Sequence, residues 1–234
     1  MPPMSPLPQS DRRRGFTLVE LLITVAISAA VGAAALYFLV EGTRVSLRTM
    51  SNTMNDLNQW GLTSHVLIDS KQANAVSIYP DATADNLTLA NRRSNPGERG
   101  KLMVFSLSTS AAGSVSSTYT HIFCYLYTPP NAQAVDPLKQ AFGTLARYDF
   151  DVPEDDQELP LETILINNLP RATPIVMSSM IRDLDQKTSS PFVFRSPTTV
   201  SISLRLYQGL NAQGYNTGRT AQYKVIGATF FVRN

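Results

Sequence analysis

The chain is poor in the residues that covalent staples and most active sites need. Of 234 residues one is cysteine, Cys124, and two are histidine, His65 and His121. A lone cysteine excludes an intramolecular disulfide. It sits in an apolar and aromatic run at 119–127 that reads as a strand, which predicts a buried small hydrophobe and not a reactive thiol. Neither histidine belongs to a motif with metal-ligand spacing, so both are predicted to be structural. There is no nucleophile elbow, phosphate loop or dinucleotide fingerprint. The sequence therefore predicts no catalytic residue, no metal and no cofactor, in a protein that is not an enzyme. An excess of one charge is also missing. Taking Arg12, Arg13 and Arg14 from the 20 basic residues and Asp11 from the 18 acidic ones leaves 17 of each, so no broad basic field is predicted and no nucleic-acid partner is expected. Proline, finally, is absent between Pro8 and Pro80. Nothing in that stretch forbids one long helix.

What is present lies mostly at the N-terminus. A short polar leader ends in Arg12, Arg13 and Arg14, followed by Gly15. From Phe16 to Val40 the chain is apolar apart from Thr17, Glu20, Thr24 and Ser28, and 21–40 holds neither charge nor proline. A helix needs about 20 such residues to cross the hydrocarbon core of a bilayer. The arginines on its N-terminal side predict a cytoplasmic N-terminus and a head across the membrane. A secretory signal peptide would have a shorter apolar core and a small-residue cleavage site after it. A plain anchor would fit the length and leave Glu20 unexplained, because a carboxylate inside a membrane helix costs about 2.5–3.5 kcal/mol on insertion scales.

The run Arg14-Gly15-Phe16-Thr17-Leu18-Val19-Glu20-Leu21-Leu22 resembles the prepilin-type signal of type IV pilins and type II secretion pseudopilins. The resemblance implies cleavage between Gly15 and Phe16 by a prepilin peptidase and N-methylation of Phe16. It also implies an assembly role for Glu20, which falls on the family's acid at the fifth residue of the mature chain. It further implies partners: sister pilins or pseudopilins, an inner-membrane platform and membrane lipid. Many pilins have a proline where Tyr37 stands here. Gly32, mid-membrane, is either a soft point or a site of close helix packing.

Past the membrane segment, Leu47, Met50, Met54, Leu57, Gly61, Ser64 and Ile68 recur at spacings of three and four, with Trp60 and Leu67 widening the stripe. That pattern predicts an amphipathic helix to about residue 72, laying this stripe on the head, with Arg44, Arg48, Asn55, Gln59 and Asp69 on its other faces. After it the texture becomes short β-branched and aromatic runs between turn signals. Strands are predicted at 75–79, 87–90, 101–107, 118–127, 145–150, 192–195, 199–207 and 223–232, with a short helix at 161–168. Segment 176–184 is ambiguous between helix and strand. The expected architecture is α+β, a pilin-like long helix packed on a mostly antiparallel head. Its expected divisions are a cleaved leader at 1–15, a membrane or filament-core helix at 16–40, an amphipathic continuation at 41–72, and a β-rich head at 73–234. The head also resembles, more loosely, the larger minor pilins and the J-type minor pseudopilins, through stretches such as Leu145-Ala146-Arg147-Tyr148 and Pro191-Phe192-Val193-Phe194.

Two charged clusters stand out in the head. The acidic run Asp149, Asp151, Glu154, Asp155, Asp156 and Glu158 matches no EF-hand spacing and reads as a solvated loop, with calcium as the alternative. Arg92, Arg93, Arg99 and Lys101 read as a solubilising loop, with phosphate contacts as the alternative. The resulting expectation is a structural subunit, a minor pilin or pseudopilin of a type IV pilus or type II secretion filament. It would sit first in a bacterial inner membrane by a single span and then in the filament. The rival from another class is a membrane-anchored adhesin or binding module.

Overall fold

The computed structural model describes residues 17–109, 118–131, 133–136, 142–183, 190–207 and 223–232. The leader, with Arg12, Arg13, Arg14, Gly15 and Phe16, lies outside them, as do 110–117 and 208–222. The chain forms two compact units, 1–49 and 50–234.

One helix, α1 (Leu18–Gln72), runs through 55 residues. Its first-unit part is apolar, and from Leu18 to Val40 every side chain is exposed. Its second-unit part has Lys71 in its last turn, a cation placed where the helix dipole favours one.

The second unit is a strongly curled antiparallel sheet. The strands are β1 (Ala75–Tyr79), β2 (Arg99–Gly100), β3 (Leu102–Ser108), β4 (Tyr119–Thr128), β5 (Gly143–Asp151), β6 (Ile175–Asp183), β7 (Phe192–Ser196), β8 (Thr199–Tyr207) and β9 (Tyr223–Phe231). They run in the order β1-β3-β4-β5-β6-β8-β7-β2, with β9 also on β8. β8 organises the far end. β9 pairs with it from Thr199 to Tyr207, while β7 and β6 pair with it at Phe192↔Ile202 and Ile181↔Leu206. The curl brings the turn after β7 back to the first strand, where Val76 N–H donates to the Pro197 carbonyl at 3.2 Å. Gly97, at φ 96°, takes the left-handed turn that leads into β2. A Cβ at Gly100 would overlap the Tyr79 carbonyl oxygen, so only glycine lets β2 pass β1 there.

Alternation along β3 and β4 builds a core on each face. Met103, Phe105, Phe123, Tyr125 and Tyr127 point to one side and join Leu62 and Val66 of α1 and Ala73 just after it. Leu102, Val104, Ile122 and Cys124 point to the other, where α2 (Leu161–Asn168) covers them with Leu161, Ile164 and Leu165. The expected α+β arrangement, with a helix packed on an antiparallel head, is what the structure shows.

Several local expectations change. Segment 87–90 is not a strand: Leu87 is buried in the α2-side core, and Leu89–Asn91 form one 3-10 turn. The ambiguous 176–184 becomes β6, held by β5 and β8 on its two edges. The largest correction concerns the helix. Leu47, Met50, Leu57, Trp60, Leu67 and Ile68 are exposed, and the face on the sheet is Leu62, Val66, Asp69, Ser70 and Ala73. Gly61 and Ser64 of the expected stripe are half-buried, and the Met54 side chain lies outside the described part.

Candidate assembly site on the helix

The start of α1 is held by a reciprocal cap. Thr17 precedes the helix and Glu20 stands in its first turn. Glu20 N–H donates to Thr17 Oγ1 at 3.3 Å, while Thr17 N–H and Thr17 Oγ1–H both donate to Glu20 Oε2 at 2.9 Å. This is the capping-box arrangement of Thr-x-x-Glu, which satisfies backbone donors that a helix start leaves open. Glu20 Oε1 accepts no hydrogen bond from any described residue. The first turn therefore fixes one carboxylate oxygen and leaves the other presented. The sequence placed Glu20 as functional and overlooked Thr17, although the Thr-x-x-Glu spacing was there to read.

Leu18–Leu47, 30 residues, is the one helical stretch among the described residues long and apolar enough to cross a membrane. Thr24 and Thr43 do not interrupt it, because their hydroxyls donate back to helix carbonyls, at 2.7 Å to Glu20 O and 2.8 Å to Val40 O.

In the second unit the helix is pinned by a buried polar group. Asp69 is 1% exposed. Its Oδ2 accepts from Tyr125 Oη at 2.5 Å and from Arg147 Nε at 2.8 Å, and its Oδ1 accepts from Arg147 Nη2 at 3.0 Å. Arg147 Nη2 continues to Asp149 Oδ2 at 2.8 Å, and its guanidinium lies over the Phe123 ring. The hydrogen bond to Asp69 holds the Arg147 guanidinium firmly in its charged form, and burial pushes the Tyr125 hydroxyl well above its usual range. Asp69, expected on a solvent face, is thus the residue that fixes this turn of α1 to β4 and β5.

The same network disposes of the other candidates. Asp149 Oδ1 and Asp151 Oδ1 each lie 2.7 Å from a ring nitrogen of His121. With both nitrogens engaged by carboxylates, neither is left to activate a nucleophile. Asp156 accepts from Asn168 at 2.9 Å. Among the described residues no group of three or more His, Cys, Asp or Glu is placed to hold a metal ion. The basic loop is not a free patch: Arg92 pairs with Glu162, and Arg93 Nε donates to the Arg99 carbonyl at 2.9 Å. Cys124 is fully buried, and that burial pushes its thiol far above the ordinary range. His65 is exposed on α1.

On the side of α1 turned away from Leu62 and Val66, Leu57, Trp60, Leu67 and Ile68 form an apolar patch open to solvent, with Trp60 71% exposed. The helix has two apolar sides in the head unit, and the sheet uses one.

Residues 10–36 match the family model described as the prokaryotic N-terminal methylation motif. The chain carries a prepilin-type N-terminus. The motif and the apolar helix it opens are consistent with a type IV pilin-like protein. The motif implies processing by prepilin peptidase and assembly with other pilins, and it belongs to a family that is structural rather than catalytic. The helix near the N-terminus fits a membrane-anchored pilin. No curated protein and no solved structure matches the chain.

Proposed function

We propose that the protein is a minor pilin or pseudopilin, a structural subunit of a type IV pilus or type II secretion filament. The observation that carries this reading is the methylation motif at 10–36 running directly into a helix that buries none of its side chains from Leu18 to Val40. Such a surface needs lipid before assembly and other helices after it. The arginines at 12–14 keep the leader on the cytoplasmic side of the inner membrane, with the head beyond it. Cleavage between Gly15 and Phe16 then frees an amine. In an apolar filament core that ammonium needs a partner. Glu20 of a neighbouring subunit supplies it through Oε1, since Oε2 is already committed to Thr17. The exposed side of α1 around Trp60 extends the assembly surface past the membrane-spanning segment.

Intact-mass and N-terminal analysis of the protein from its native membrane, with and without the prepilin peptidase, tests the reading. A mature chain starting at N-methylated Phe16 only when the peptidase is present supports it. A chain that still begins at Met1 in both strains refutes it.

A further inference from the structure

A cleft of about 220 Å³ opens beside the first strand. Its floor includes Ser77 of β1 and Ser106 of β3, and its walls include Arg92, Arg93, Tyr119 of β4 and Phe194 of β7. Among the described residues no carboxylate lines it. Ser77 and Ser106 are 7% and 1% exposed, yet neither hydroxyl hydrogen-bonds to any described residue. Both side chains line the cleft. A hydroxyl that is nearly buried and unpaired is costly unless something occupies the space in front of it.

The arginines are fixed from behind. Arg93 Nε donates to the Arg99 carbonyl, and Arg92 Nε and Nη2 both donate to Glu162 Oε1, at 2.9 and 2.5 Å. Glu162 is held in turn by the Tyr79 hydroxyl at 2.8 Å. These bonds set the planes of both guanidinium groups. Both Nη atoms of Arg93 and Nη1 of Arg92 have no acceptor among the described residues. An anchored guanidinium with free terminal nitrogens is suited to a carboxylate. Glu162 neutralises Arg92, and Arg93 has a carboxylate neighbour in Glu98 with no direct ion pair between them, so the cleft carries at most one positive charge, which points to a singly charged ligand.

We propose that this cleft binds a single carboxylated sugar ring of the hexuronate type, its carboxylate on Arg93 and its hydroxyls on Ser77 and Ser106. A bare inorganic anion would leave the two serine hydroxyls unpaired. The half-buried Tyr119 in the lining adds apolar surface for the C–H face of a sugar. The cleft is smaller than the roughly 300–1,000 Å³ of drug-sized sites, so it admits one ring. The proposal stands apart from the assembly role and adds a recognition function to the head.

The test uses the full chain in detergent micelles, titrated calorimetrically with glucuronate, glucose and acetate. Saturable glucuronate binding is expected, with glucose and acetate weaker by on the order of tenfold or more. Arg93→Gln should weaken glucuronate by a similar factor. Because that change also removes the bond to the Arg99 carbonyl, Ser77→Ala gives a second reading. It deletes one hydroxyl and should weaken glucuronate several-fold while the melting temperature stays put. Absence of saturation by glucuronate, acetate binding as tight as glucuronate, or unchanged glucuronate affinity in Ser77→Ala would each overturn the proposal.

Discussion

The two parts of α1 obey different rules although they are one helix. From Leu18 to Val40 the sequence is apolar apart from Glu20, Thr24 and Ser28, and the structure buries none of it. From Met50 onward polar and apolar residues mix, and the face that is buried holds Asp69 and Ser70 while Leu57, Trp60 and Ile68 face solvent. The contrast teaches that hydrophobicity alone does not assign a helix face. The first part engages Glu20 Oε2 and the Thr24 hydroxyl within its own first turns and waits for lipid or other helices. The second is oriented by one carboxylate that has two partners on the sheet, and its apolar surplus is turned outward.

The strongest way to break this comparison is to remove the pin. Asp69→Ala leaves Arg147 and Tyr125 without their acceptor in a nearly dry site. The head should lose about 3–5 kcal/mol, read as a shift in the urea midpoint of the full chain in micelles. A loss below about 1 kcal/mol would mean that packing and not Asp69 orients the helix. Next comes a pair on opposite sides of the same turns. Leu62→Ala should cost about 2–5 kcal/mol, since it empties a core position. Trp60→Ala should stay within about 0.5 kcal/mol in the same assay while lowering the amount of subunit recovered in sheared filaments. Equal stability effects from the two would erase the distinction between the faces.

A smaller effect belongs to the first part. Thr17→Ala removes the hydroxyl of the cap and should weaken the helix start by about 0.5–2 kcal/mol, seen as faster amide exchange at Leu18 to Glu20 in micelles. Unchanged exchange would mean that the surroundings alone hold that turn.

The smallest effect is on pH. Hydrogen bonds from Asn95 and Ser94 hold the Glu98 carboxyl below its usual range. A carboxyl depressed in the folded state adds stability above its unfolded pKa and loses it as the pH falls through the folded one. The turn before β2 should therefore loosen in acid, with exchange at Ser94 and Asn95 rising, and Glu98→Gln should exchange faster at neutral pH. Acid leaving both amides protected would contradict this.

How much of this was readable depended on whether partners were local. Strand 199–207 was legible because Val200, Ile202 and Leu204 alternate with Ser201, Ser203 and Arg205, and the structure buries the first set among the core. The helix at 161–168 and the first strand were equally plain. The stretch from Ile175 to Ile181 keeps neither a period of two nor of 3.6, so only the strands on both sides of it decide its form. The stripe through Leu57 and Ile68 was real as a pattern and wrong as a core, because the residues that choose the face, Arg147 and Tyr125, lie 78 and 56 positions from Asp69. At the candidate site, Glu20 was visible as an oddity in an apolar run, and Thr17 needed only the Thr-x-x-Glu spacing. The cleft was not readable at all, since it gathers residues from β1, β3, β4, β7 and the turn at 92–94.

The buried thiol has a practical use. Cys124 is the chain's one cysteine and is sealed between β3, β5 and α2. Maleimides and spin labels will pass it by in the folded protein, so the wild-type background is already silent. A cysteine introduced at Leu57, Trp60 or Ile68 would then be the sole reporter on the outward side of the helix. Its neighbours could be mapped by cross-linking in living cells with no prior engineering of the scaffold.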